Sequence, residues 1–146
     1  MGAATDHRKQ QEEITMKVPL AVLADSANVS QEGKLNIMGI FTQINAQSLP
    51  LRYPHMTLVF TLEAQVPEGG RQHQAVINCM DEDGGKLFEA NATIDVEIKD
   101  PGKPATINQI INFQLMEFRR EGDYSFNILV NNELKRSVIL TVKLVG

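Results

Sequence analysis

Between Gly122 and Val145 the side chains take turns. Tyr124, Phe126, Ile128 and Val130 alternate with Asp123, Ser125, Asn127 and Leu129, and Val138, Leu140, Val142 and Leu144 repeat the pattern after a short break. A period of two over aromatic and β-branched residues describes a strand with one buried face. The break is Asn131-Asn132-Glu133. Asparagine tolerates positive φ, so the chain can reverse there in a tight hairpin. A chain that commits residues 122–145 to such a ribbon needs further strands to cover the buried face.

The rest of the chain supplies them. A first strand is expected over Val18–Val29 and a second over Leu35–Ala46, joined by a turn at Ser30–Lys34 in which Gly33 takes positive φ. Ser48–His55 carries Pro50 and Pro54 and reads as a crossing loop, since proline cannot donate to a central ladder. Met56, Leu58, Phe60 and Leu62 mark the inward phase of a third strand. Gln72–Met80 forms the fourth, with Ala75, Ile77 and Cys79 in phase, and Leu87–Ile98 the fifth. Ile107–Phe118 forms the sixth, with Ile107, Ile111, Phe113 and Leu115 on one face. No stretch has a helical period long enough for a βαβ crossover, which argues against a parallel sheet. About eight short strands separated by turn signals predict an all-β, antiparallel β-sandwich, immunoglobulin-like or similar.

Residues 17–146 are read as one domain, preceded by a polar tail, residues 1–16, without an apolar stripe. The 146-residue chain is long enough to bury a core without a metal or a disulfide, and Cys79 is its only cysteine. The net charge of −4 disfavours nucleic acid, whose binding depends on neutralising phosphates, and also disfavours anionic lipid. No apolar segment follows the basic pair Arg8-Lys9, and Val18–Ala24 is too short to span a bilayer, so the expected address is the cytoplasm.

Ala24-Asp25-Ser26-Ala27-Asn28-Val29, followed by Gly33-Lys34-Leu35-Asn36-Ile37-Met38-Gly39-Ile40-Phe41, resembles the opening of an uncharacterised bacterial family of small β-sandwich domains. Its members read small-Asp-x-Ala-x-Val-x-x-x-Gly-Lys-Leu-x-Ile-x-Gly-Ile-Phe. Gly122-Asp123-Tyr124-Ser125-Phe126 is similar to the family's Gly-x-Tyr-x-Phe ending. The resemblance covers most of Val18–Val145. It implies a β-sandwich and carries no assigned activity.

Chemical motifs are sparse. Asp81-Glu82-Asp83-Gly84 offers carboxylates, but the twelfth position counted from Asp81 is Ala92, where a calcium loop of the EF-hand kind needs a bidentate Glu. His73 and Cys79 fall short of a zinc ligand set, with His7 and His55 remote in sequence. Gly84-Gly85-Lys86 and Gly69-Gly70-Arg71 lack the remainder of a phosphate loop. No Gly-x-Ser-x-Gly elbow is present, and nothing sets a base on a nucleophile. The chain is therefore expected to be no enzyme, and no metal or cofactor is expected.

One irregularity points to contacts instead. The outer face of a sandwich strand should be polar. Yet Leu35, Ile37 and Phe41 share one phase of the second strand while Met38 and Ile40 occupy the other, and Leu23 and Ile139 break the alternation of the first and last strands. Leu23, Met38, Ile40 and Ile139 are therefore the candidate protein-contact residues, for a second copy or another protein. The alternative is a sandwich that binds a small molecule or sugar at its loop ends, with Tyr53, His55 and Arg119 as contacts.

Overall fold

A computed structural model describes residues 16–65, 67 and 69–145. Residues 1–15, most of the expected tail, lie outside the described residues. Met16, placed in that tail by sequence, is buried in the core.

Among the described residues, nine strands form two packed sheets: β1 (Lys17–Val29), β2 (Leu35–Phe41), β3 (Gln43–Ala46), β4 (Leu51–Ala64), β5 (Gln72–Met80), β6 (Lys86–Asp95), β7 (Ala105–Phe118), β8 (Gly122–Val130) and β9 (Glu133–Leu144). One sheet has the order β2-β1-β4-β7, the other β3-β9-β8-β5-β6. The inward residues of both sheets make one core, with Leu58, Phe60 and Leu62 from β4 meeting Ile77 and Cys79 from β5 and Phe126 and Ile128 from β8.

The terminal hairpin follows its sequence as far as Val142, although its ladder shifts register between Ile128 and Leu129, and Leu144, expected inward, is exposed. Val130 pairs with Glu133 across two residues, Asn131 and Asn132, at φ of 51° and 67°. Asn131 also ties the turn to the start of β5: its amide donates to Gln74 O at 2.8 Å and its Oδ1 accepts from Gln74 N at 3.1 Å. Tyr124 is buried as its phase requires, and its hydroxyl donates to Arg120 O at 2.7 Å. That is the tyrosine corner of Greek-key sandwiches.

Four further expectations are corrected. The second strand is two: the chain leaves one sheet at Thr42 and enters the other as β3, which pairs parallel with β9. This parallel pair needs no helical crossover because the rest of the domain already connects its strands, with paired residues such as Gln43 and Thr141 lying 98 positions apart. Next, β4 begins at Leu51, so Pro54 lies inside a strand. The β1–β4 ladder stops at Ala24↔Thr57, and around Pro54 only β7 is a partner, so its missing N–H leaves one side of the strand uncompromised. Third, Leu115 adopts φ 53°, which resets the alternation of β7: Phe113, Met116 and Phe118 turn inward and Leu115 is 63% exposed.

Fourth, Leu23 is a core residue, 0% exposed, and cannot be a surface contact. The β1–β4 ladder slips between Lys17 and Leu20, at Pro19. The slip changes parity, so Val18, Ala21 and Leu23 are all buried while Leu20 and Val22 turn outward. A bulge of this kind leaves no mark on the hydrophobic pattern when both phases are apolar.

Candidate protein-contact site

Beyond Ala24 the first hairpin leaves the body of its sheet. Residues Asp25–Val29 pair only with β2, from Ser26↔Met38 to Val29↔Leu35. The result is a two-stranded arm. Its tip is a turn closed by Ser30 N to Lys34 O at 2.8 Å, with Gly33 at φ 86°. Asn36 Nδ2 donates to Asn28 Oδ1 across it at 2.9 Å.

The arm carries apolar residues on both faces, with Ser26, Asn28 and Asn36 beside Met38 and Ile40 on one of them. Met38 and Ile40, 72% and 57% exposed, point one way. Leu35, Ile37 and Val29 point the other, and none of these three belongs to the core or packs against it. No residue of β2 carries a charge. A lone two-stranded ribbon is marginally stable in water, so a ribbon with apolar residues on both faces and a free edge is an incomplete structure.

At the root of the arm Gly39 has φ 73°, and a Cβ there would stand 2.8 Å from Asp25 Cγ. Asp25, Gly39, Ile40, Phe41 and Tyr53 line a shallow hollow of about 340 Å³. The Tyr53 ring packs on Phe41 with centroids 5.9 Å apart. Burial pushes the Tyr53 phenol pKa up, and the nearby Asp25 carboxylate adds to the shift.

A second depression, of about 790 Å³, opens between the edge strands β6 and β7. Leu87, Phe88, Phe113, Leu115 and Met116 line it, with Arg119 and Arg120 among its polar residues. Phe88 and Phe113 meet edge to face at 4.8 Å. Leu115 reaches this cleft because of its positive φ, a feature that periodicity cannot signal.

The candidate residues are thus dispersed. Met38 and Ile40 stand on the arm. Ile139, 49% exposed, pairs with Ser125 on the outer face of the other sheet. That face carries a polar ladder in which Ser137 Oγ donates to Asn127 Oδ1 at 2.7 Å and Asn127 Nδ2 to Asn78 Oδ1 at 2.8 Å. Ile139 therefore shares no patch with Met38 and Ile40. Tyr53 lies at the arm's root, Arg119 at the cleft, and His55 is exposed 3.4 Å from Thr57 Oγ1. Thr57 is buried and donates to Asn112 Oδ1 at 2.9 Å, which holds its hydroxyl away from solvent.

The acidic turn is engaged internally. Asp81 Oδ1 accepts from Gly85 N at 2.7 Å and Asp83 N at 2.9 Å, while Arg120 bridges Asp81 and Asp83 at 3.1 and 2.9 Å. Glu82 Oε1 accepts from Asp123 N at 2.7 Å. The Gly85 amide, then the Asp83 amide and Arg120, hold the Asp81 carboxyl below the usual range. Beside it, burial pushes the Cys79 thiol pKa up to about 12, with Asp81 contributing.

A family model described as a family of unknown function (DUF6941) matches residues 19–143. No match was found among curated proteins. Among solved structures, the alkylpurine DNA glycosylase AlkC of Pseudomonas fluorescens bound to DNA containing an abasic site analog is similar at 14% identity and a TM-score of 0.53, over 88% of this chain and 30% of that one. The chain thus spans about a third of that protein's length. An immunoglobulin-like protein from Pseudomonas aeruginosa is similar at 13% identity and a TM-score of 0.41, over 88% of this chain and 97% of that one. A β-glucosidase from Listeria innocua in complex with gluconolactone is similar at 6% identity and a TM-score of 0.45, over 88% and 16%. At these identities the likeness is one of fold alone.

Proposed function

The chain belongs to that family of unknown function, DUF6941, and on this premise we propose that it works through protein contacts made by the β1–β2 arm, without catalysis. The observation that carries the reading is the arm itself: a ribbon outside the sheet body, uncharged along β2, with Met38 and Ile40 bare on one face, and Val29 exposed beside half-buried Leu35 and Ile37 on the other. Exposed apolar surface concentrated on one element marks an interaction site. The net charge of −4 supports a protein partner over nucleic acid or anionic lipid. No helix among the described residues is long and apolar enough to cross a membrane.

A photocrosslinking residue placed at Met38 in cells tests this. Adducts are expected from Met38 and Ile40 and not from Ile139; an absence of adducts from the arm overturns the reading.

The cleft between β6 and β7 favours a second reading, a site for a small apolar ligand, since a depression of about 790 Å³ lies in the range of small-molecule pockets. Of the three loop-end candidates only Arg119 lines it. A thermal-shift screen on the wild type and on Leu115→Asp checks it: a stabilising compound whose effect vanishes in the variant is expected, and a screen without such a compound removes this reading.

A further inference from the structure

We infer that the occupant of the free β2 edge is a second copy of this chain, the two arms pairing antiparallel about a twofold axis so that their four-stranded sheets join into one. This rests on the contact-arm reading above and names the partner.

The four edge strands of the described sandwich are β2, β7, β3 and β6. Exposed edges invite pairing with another chain, and stable monomers blunt them with charge, kinks or shortness. β6 carries Lys86, Glu89 and Asp95. β7 is interrupted near its end by the positive φ of Leu115, two residues before its one charge, Glu117, and its uncharged run 105–114 carries Asn108, Gln109, Asn112 and Gln114. β3 has four residues. β2 has seven and no charge, and its one interruption, Gly39, lies near its end. It is the edge that combines the absence of charge with largely exposed apolar side chains, Met38 and Ile40.

A second copy suits it better than an arbitrary strand. Self-pairing about a twofold sets each residue against one of the same strand, so any charge would meet a like charge nearby, at a cost. In a chain of net charge −4, the uncharged run Leu-Asn-Ile-Met-Gly-Ile-Phe avoids that cost. A twofold near Ile37 places Ile37 against its counterpart on one face and Asn36 beside the counterpart of Met38 on the other. About six main-chain hydrogen bonds would form, given that alternate residues of an antiparallel pair exchange both bonds. The marginal ribbon becomes the middle of an eight-stranded sheet, and the apolar residues on its two faces acquire neighbours.

Sedimentation velocity on the full chain over roughly 1–500 µM tests the inference, since oligomerisation follows mass action. The wild type is expected to approach twice the 16.2 kDa of one chain as concentration rises, and Met38→Lys/Ile40→Lys to stay at one chain, with circular dichroism and melting temperature matching the wild type at the low end of the range, where both are monomeric. Amides of residues 35–41 should exchange more slowly at the high end of that range in the wild type alone. A wild type that sediments as one chain throughout, or a dimer that survives the double substitution, overturns the inference. A monomeric wild type whose Met38 crosslinks in cells to a different protein removes the second copy but leaves the contact arm standing, whereas a monomer without crosslinks removes both.

Discussion

The carboxylate of Asp25 lies over Gly39, on the neighbouring strand of the arm, in the space a side chain would need. Gly39 is also at φ 73°, where an L-residue is strained. The two facts make the position glycine-specific, and they fix where the arm leaves the sheet.

Gly39→Ala is therefore expected to lower stability by about 1–3 kcal/mol, from the left-handed backbone and the collision with Asp25 together. Asp25→Ala in the same chain should recover part of the loss, because it removes the collision and leaves the backbone strain. Urea unfolding of the wild type and the two variants checks the ordering.

Tyr124→Phe should cost about 1–2 kcal/mol, since it removes the 2.7 Å bond to Arg120 O and leaves that carbonyl short of a donor. The ring contact with Phe118, at 4.9 Å, survives the change. A loss well below that range, in the same urea assay, would show the tyrosine corner to be dispensable here.

The Asp81 carboxyl has a folded pKa held below its unfolded value, chiefly by the Gly85 amide. Its contribution to stability is present above the ordinary aspartate pKa and disappears as pH falls through the lower folded value. Asp81→Asn should accordingly lower the urea midpoint at pH 7, and the gap to wild type should close below about pH 4. A gap that does not change with pH would trace the effect to packing instead of charge.

Cys79 behaves in the opposite sense. Its thiol is buried, with a folded pKa of about 12 against an ordinary value of 9.0. The native state keeps its proton where the unfolded state loses it, so stability declines above pH 9, by up to about 1.4 kcal/mol per pH unit. Iodoacetamide at pH 8.5 should leave the native protein unlabelled and label it in urea. Rapid native labelling would contradict this burial.

Leu115 holds a backbone conformation that costs an L-residue about 1–2 kcal/mol, yet most of its side chain is in solvent. Leu115→Gly should leave the protein as stable or raise its stability by up to about 1 kcal/mol, the strain relieved being partly offset by unfolded-chain entropy. A destabilised variant would mean that the side chain contributes packing in the β6–β7 cleft.

What was legible in the sequence is what a strand and its nearest neighbour determine between them. The alternation from Tyr124 to Val130 and the paired asparagines specify a hairpin, because pleat and turn geometry are local. The double apolar phase of Leu35–Phe41 likewise signals a strand with no wholly polar face. What the sequence alone decided, then, is an all-β chain, the position of most strands, and one that could not be satisfied by an ordinary sandwich. Only the tertiary structure decided which phase faces inward where both are apolar. The slip at Pro19 buried Leu23, Leu115 reset β7, and β3 crossed to a distant strand, β9. Likewise it alone parted Ile139 from Met38 and Ile40, and brought Arg120 onto Asp81 across 39 residues. The reason is physical: side-chain parity is carried along a strand only until the first bulge, and after that the partner strand sets it.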